Sequence, residues 1–291
     1  QLVAAGHRVT ATVLGSAEAA QVRADGALPA YPNLLRAGEL RSAIAAAKAT
    51  VVVNVAPTYA FQPPHRVADW DAQAATVDQG TAAILEAAQA SGIEFLAQAS
   101  FALLGGDDHD HGDHEPPSSV FVEAARRAEQ FVAQSALAAC VLRFGFVYSA
   151  ESSALAELRA ALLRGRMVMT GSGHTRANWI HAEDGARAIV QALEVRPAGE
   201  TLYVADNKPM TPAAFASSLA EQLGVLVTAQ PPSLARGLFA SQAQLAMLDQ
   251  PSGASNAETK TRLNWTPQYA TASKGLEQAL MVWRASEPIR S

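Results

Sequence analysis

The sequence predicts an α/β fold built on a parallel sheet, with a smaller, mostly helical region in its last third. Two observations carry this. Strand-like runs at His7–Leu14, Val51–Val55, Ile93–Ala97, Ala139–Gly145 and Glu200–Ala205 alternate with helical stretches. Such alternation is the mark of βαβ units, which place strands side by side in one direction. Beyond Tyr148, helical patterns outnumber strands, which reads as a cap on the main sheet.

Taken in order, Leu2-Val3-Ala4-Ala5 reads as a last helical turn, stopped by Gly6 as a C-terminal glycine stops one. His7–Leu14 is rich in β-branched residues and suits a strand. A short helix is expected around Ala17–Arg23 and an alanine-rich one over Ala43–Lys48. Val51 to Pro57 is the clearest buried strand, a valine run closed by proline. Tyr59–Asp69 reads as a loop, and Val77–Ala90 as a helix ended by Ser91-Gly92. The strand at Ile93 leads to Ser100, where a ligand would lie past a carboxyl end. A helix from Ser118 carries Phe121, Ala124, Ala125, Ala128, Phe131 and Val132 in an amphipathic pattern. Further helices are expected over Ala154–Arg164, Glu183–Glu194, after Thr211-Pro212, through 231–255, and over Ser273–Arg284. Thr211-Pro212 is a hydroxyl N-cap followed by proline at the first helical position.

Composition narrows the partners. The formal charge is -5 and no lysine/arginine cluster is present, so a phosphate-backbone footprint is missing and nucleic acid is not an expected partner. No apolar run is long enough to span a bilayer, so no membrane partner is expected. Cys140 is the single cysteine. It fits a reducing compartment, the cytoplasm, and a buried structural thiol.

The motifs in sequence order resemble those of the NAD-dependent epimerase/dehydratase branch of the extended short-chain dehydrogenase/reductases. Asn33-Leu34 resembles the family's Asp-Leu beside the adenine, and Asn54-Val55-Ala56-Pro57 its His-x-Ala-Ala strand end. Gly80-Thr81 resembles the Gly-Thr helix, and Ser100 to Gly105 the Ser-x-x-x-x-Gly turn. Leu142-Arg143-Phe144-Gly145 with Val147-Tyr148 resembles Leu-Arg-Pro-Gly-x-Val-Tyr. Trp179 to Ala186, and Lys260 with Leu263-Asn264-Trp265 and Pro267, resemble the two closing motifs.

The resemblance implies a Rossmann-like, doubly wound sheet binding NAD or NADP. It divides the chain into a dinucleotide-binding domain over 1–150 with about 176–205, and a substrate-binding cap over 151–175 and 206–291. It implies cofactor contacts from Asn33, Leu34, Val55, Ala56, Pro57, Phe144, Gly145 and Phe146, and a catalytic hydroxyl at Ser100. The partner implied is a small molecule, a carbonyl compound or a nucleotide sugar, with a homodimer by the same likeness.

Two departures qualify the picture. The family's first strand and glycine loop, roughly twenty residues of strand–loop–helix, are expected upstream of Gln1. The strands at Val9 and Val51 would then lack their shared neighbour, and a gap or rearrangement is expected between them. Secondly, the family sets a tyrosine and a lysine four apart on one helix face, and a glutamate four further on. Glu129 fits the last position, which puts Phe121 at the tyrosine and Ala125 at the lysine. Val77 stands where an asparagine is expected, three residues before Gly80. A phenylalanine has no proton to pass, and an alanine no charge to lower a phenol pKa. Two outcomes stay open: a diverged enzyme, or an inactive relative that keeps the fold as a sensor or scaffold.

Other segments carry blander expectations. Asp107–Glu115 is rich in His and Asp but reads as a solvated loop, and no metal site is expected. Tyr59 reads as a packed loop residue. His181 and Asp184 read as caps and anchors of the following helix. Leu14-Gly15-Ser16 offers neither the acid that binds a ribose hydroxyl nor an arginine for a 2′-phosphate, leaving NAD against NADP undecided.

Overall fold

The computed structural model describes residues 1–56, 67–105, 120–166, 175–227 and 252–286, with only the backbone of 67–71. Its strands are β1 (Thr10–Thr12), β2 (Leu28–Ala30), β3 (Val51–Asn54), β4 (Phe95–Phe101), β5 (Ala139–Phe144), β6 (Phe146–Tyr148), β7 (Trp179–His181) and β8 (Thr201–Val204). Its helices are α1 (Ser16–Ala24), α2 (Ala37–Ala47), α3 (Val67–Ala90), α4 (Val120–Gln134), α5 (Ser153–Leu163), α6 (Ala182–Val195), α7 (Pro212–Leu223), α8 (Ala257–Arg262) and α9 (Ala272–Ser286).

The central sheet is parallel, in the order β3-β4-β5-β8. Alternation along β4 sorts its two faces. Phe95, Ala97 and Ala99 join Cys140, Leu142, Phe144, Leu202 and Val204 beneath Ala188, Ala192 and Leu193 of α6. Leu96 instead joins Val141 and residues of α2, α3 and α4, including Leu40, Ile84, Leu85 and Val132. Helices thus cover both faces, the doubly wound arrangement expected.

β1 and β2 pair with each other, parallel, in a separate sheet. Among the described residues β3 has one strand neighbour, β4, so the expected gap between the strands at Val9 and Val51 is present. It corrects one expectation. The valines of β3 are half-buried, not fully covered, because one edge and part of each face lack a neighbouring strand.

At Gly145 the chain leaves the central sheet and enters the β6–β7 pair. A Cβ there would stand 2.7 Å from the carbonyl of Asn178, so only glycine permits the approach. Beyond this point a second core forms. Phe146, Tyr148 and Trp179 meet Leu155, Leu158, Phe215, Leu219, Leu276 and Trp283 from α5, α7 and α9. Trp179 stacks on Phe215 with ring centroids 3.8 Å apart.

The expected start signals hold where their chemistry is local. Gly6 has φ +87, as a helix-ending glycine should. Thr211 caps α7 by accepting from the Ala214 N–H at 3.0 Å. Expectation and structure part elsewhere. Helix α2 begins at Ala37 rather than Ala43, and α3 is already helical at Val67. Strands β2 and β7 are unanticipated. Three residues are too few to show alternation, and Pro29 argues against a strand until the edge position of β2 is known. Residues 252–255 are not helical, and the rest of the helix expected through 231–255 lies outside the described residues.

Candidate functional site

Ser100 does not lie past the end of its strand. β4 extends to Phe101, and Ser100 sits opposite Arg143 in the ladder. Both its faces are covered because β4 is a central strand, so Ser100 is buried. Its Oγ has no hydrogen-bond partner among the described residues. By alternation it shares a face with Gln98, toward α3 and α4.

Phe121 of α4 is 0% exposed and Ala125 1%. They belong to one cluster with Val77, Phe101, Leu103, Leu104, Ala124 and Ala128. The Phe121 and Phe101 rings lie 4.8 Å apart. This packing is what the amphipathic pattern of α4 anticipates.

Around the cluster a charged bracket sets α4 against the sheet. Arg143 meets Glu129 through two hydrogen bonds, of 2.9 and 2.6 Å, and donates to the Tyr203 hydroxyl at 2.7 Å. Burial works against the guanidinium charge, and Glu129 with Tyr203 outweighs it, so the Arg143 pKa is raised. The same bracket explains Gly105. A Cβ there would collide with the Tyr203 hydroxyl and the Arg143 guanidinium.

The residues expected to meet a dinucleotide occupy three settings. Asn33, Val55 and Ala56 are exposed and Leu34 half-buried, at or just past the carboxyl ends of β2 and β3. Leu14, 87% exposed, and Leu35 are exposed too, so apolar side chains stand open at the carboxyl ends of β1, β2 and β3, called the shelf below. Gly80 of α3 backs it, since its Cβ would stand 3.7 Å from the Leu34 carbonyl oxygen. Phe144 and Phe146, by contrast, are buried in the two cores, with Gly145 between them. Pro57 and Tyr59, with the Asp107–Glu115 loop, lie outside the described residues.

Beneath the shelf is a buried polar group of three side chains. Asn54 donates through Nδ2 to Gln98 Oε1 at 3.0 Å and to Thr81 Oγ at 3.4 Å. Its Oδ1 accepts from the Ala56 N–H at 3.2 Å.

At the junction with the second core, His181 and Asp184 act as anticipated, as cap and anchor. Burial lowers the His181 pKa. Its Nδ1 accepts from the Glu183 N–H at 3.3 Å, so Nε2 carries the proton and donates to Gln278 at 3.1 Å. Asp184 accepts from the backbone N–H groups of Gln268 and Tyr269 at 2.8 and 2.9 Å. Tyr148 lies edge-on to His181, its phenol pKa raised by burial and then by Asp206 and Asp184.

Asp206 went unnoticed in the sequence, because no motif marks it. It is buried, its Oδ1 accepts from the Lys208 N–H at 2.9 Å, and the backbone N–H of Ala272 also faces the carboxylate. Burial pushes its pKa up to about 7, against an ordinary 3.8, and the charge of Asp184 adds to this. Between those values the folded protein holds a proton that the unfolded chain has released. Stability therefore falls as pH rises through that window and levels off above it. Asp206→Asn is expected to flatten this slope and to add about 2 kcal/mol near pH 8. Urea unfolding followed across the window checks it; an unchanged slope would show that Asp206 ionises freely. Cys140 fits its structural reading: burial, with Glu200 nearby, pushes the thiol up to about 12.

Among the described residues no group of three or more His, Cys, Asp or Glu could hold a metal ion, and no helix is long and apolar enough to cross a membrane. The model of the NAD dependent epimerase/dehydratase family matches residues 1–205. The chain belongs to that family. A similar protein is the 3-diazoavenalumate denitrifying reductase of a Streptomyces species, 29% identical over 94% of this chain and 93% of the relative. Among solved structures, a dTDP-glucose 4,6-dehydratase (DesIV) double mutant from Streptomyces venezuelae superposes with TM-score 0.76 at 18% identity, covering 98% of this chain and 92% of that one. The UDP-glucose 4-epimerase of Thermus thermophilus, in complex with NAD, superposes with TM-score 0.74 at 19% identity, over 98% and 94%. These likenesses show the Rossmann fold of the family.

Proposed function

We propose that this family member is an NAD(P)-dependent reductase whose acceptor takes up hydride without a partner proton, a small molecule bearing a diazo group. One observation carries the reading: the buried benzyl ring of Phe121 and methyl of Ala125, where the family resemblance sets a phenol and an ammonium. Reducing a carbonyl leaves an alkoxide that needs a proton as it forms. Neither side chain gives one, so the carbonyl and nucleotide-sugar substrates implied by the family fit this cluster poorly. Ser100 alone would have to serve.

A diazonium group asks for less. It accepts hydride at its outer nitrogen and becomes a neutral diazene. The diazene then gives up its N–H proton to solvent, N2 departs as the carbon–nitrogen bond breaks, and the carbon takes a proton from solvent. The sum is one hydride taken up, one N2 released and no net proton. The denitrifying reductase supports this choice, being named for a 3-diazo substrate and similar along nearly the whole chain.

A bound reduced nicotinamide would supply the hydride. Asn33, Leu34, Val55 and Ala56 would hold the adenosine end. Phe121, Phe101 and Leu104 would exclude water from the acceptor, and the Ser100 hydroxyl would orient it. Glu18 favours NAD over NADP. Its carboxylate folds back to accept the Leu14 N–H at 2.6 Å, which sets a negative charge at the end of β1. A ribose hydroxyl tolerates that charge, and a 2′-phosphate is repelled by it.

Single turnovers with 4-deuterated NADH or NADPH and an arenediazonium salt test the reading. The expected products are the arene, N2 and oxidised nicotinamide in equal amounts, formed faster than without protein, faster with NADH, and more slowly from the deuterated cofactor. No oxidation of the nicotinamide by the diazonium salt, or turnover of sugar nucleotides and aldehydes instead, would overturn it. NADH binding with no turnover of either panel would favour the inactive alternative.

A further inference from the structure

We infer that Gln98 is a positioning residue for the cofactor shelf, acting through Asn54 on the Ala56 backbone; this rests on the dinucleotide binding proposed above. Gln98 lies in the central strand β4, buried, where apolar neighbours such as Leu96 and Val141 fill the same face. An apolar side chain would suit a strand that needed only to pack, since a buried amide must find partners for its polar atoms. Gln98 finds them in a particular way. Its Oε1 accepts from Asn54, its partner in the β3–β4 register, and its Nε2 donates to the Ala99 carbonyl at 2.9 Å. Asn54 passes the constraint on, through Oδ1 to the Ala56 N–H.

Thr81 closes the group. It accepts the second Asn54 hydrogen and donates to the Val77 carbonyl at 2.6 Å. Its neighbour Gly80 is the point of α3 against which the Leu34–Leu35 turn rests. One turn of α3 therefore holds both walls of the shelf: the Asn33–Leu35 turn directly, and the Val55-Ala56 end through Asn54. The other end of the group touches the backbone next to Ser100. Of the three side chains, Asn54 thus ends on the backbone of a residue placed for the cofactor, and Gln98 on the peptide that precedes Ser100.

The test is NADH affinity, read by fluorescence on the full protein, together with amide exchange at Ala56. Gln98→Met keeps the volume and removes the acceptor. It is expected to weaken NADH binding about tenfold and to speed exchange at Ala56, with a thermal midpoint lower by roughly 5 °C. Gln98→Glu keeps an acceptor for Asn54 and is expected to stay within about threefold of wild type. Thr81→Val, which removes the second partner of the same amide, carries the test should Gln98→Met not fold. Wild-type affinity and exchange in a folded Met or Val variant would overturn this inference and leave the reductase reading standing. No NADH binding by the wild-type protein would overturn both.

Discussion

Ala125→Lys is expected to destabilise the fold by about 4 kcal/mol at neutral pH, because the new ammonium has nowhere wet to go. Ala125 lies among Val77, Phe121, Ala124 and Ala128, and none of these side chains can accept a hydrogen bond. A buried lysine in such a place gives up its proton or its packing. Its folded pKa is lowered below the unfolded one, so the unfolded chain binds more protons at neutral pH. Stability should then recover as pH rises toward the ordinary lysine range, by the same linkage that governs Asp206 but with the opposite sign. For a chain of this size the loss amounts to a thermal midpoint lower by roughly 10 °C. Chemical unfolding at two pH values measures both the loss and its recovery. A variant as stable as wild type would mean that position 125 borders a polar cavity, and the proton-free reading of the site would lose its footing.

Asp184→Asn is expected to cost about 3 kcal/mol, for a different reason. Asp184 is fully buried at the start of α6 and paired with Arg187. Its two carboxylate oxygens each accept one backbone N–H, from Gln268 and Tyr269, while its own carbonyl accepts the Trp265 indole N–H at 3.1 Å. An amide in its place turns an N–H toward an N–H and removes the charge that Arg187 balances. The turn through Trp265 to Tyr269 would loosen from α6, seen as a lower urea midpoint and a changed tryptophan signal. An Asn variant with wild-type stability and spectrum would show that the turn is held by packing alone.

The parts of the site that could be read in advance are those with local signatures. The burial of Phe121 and Ala125 was legible because a helix face repeats at a fixed interval, while their places opposite the family's tyrosine and lysine came from the resemblance, with Glu129 setting the frame. His181 and Asp184 stood where a helix start needs an acceptor and an anchor. Ser100 was found by its motif but set in the wrong place. A strand end read from one run of residues cannot show that the partner strand β5 continues the ladder as far as Phe101. Gln98 was passed over for a similar reason. Within its own strand it looks like an interruption, and it acquires a purpose only when β3 brings Asn54 opposite and α3 brings Thr81 above.

The amino-acid order alone determined the alternation of strands and helices, their parallel direction, the family motifs in order along the chain, and the apolar face of α4 that carries Phe121 and Ala125. These are consequences of period, propensity and capping, all of which act within a few residues. Tertiary structure alone decided that β3 is half-buried, that Ser100 is enclosed with no hydrogen-bond partner among the described residues, that burial raises the pKa of Asp206, and that Gln98 and Thr81 meet at Asn54. Each depends on which distant segments meet. Burial and hydrogen-bond partnership are properties of the assembled neighbours, not of any one stretch of chain.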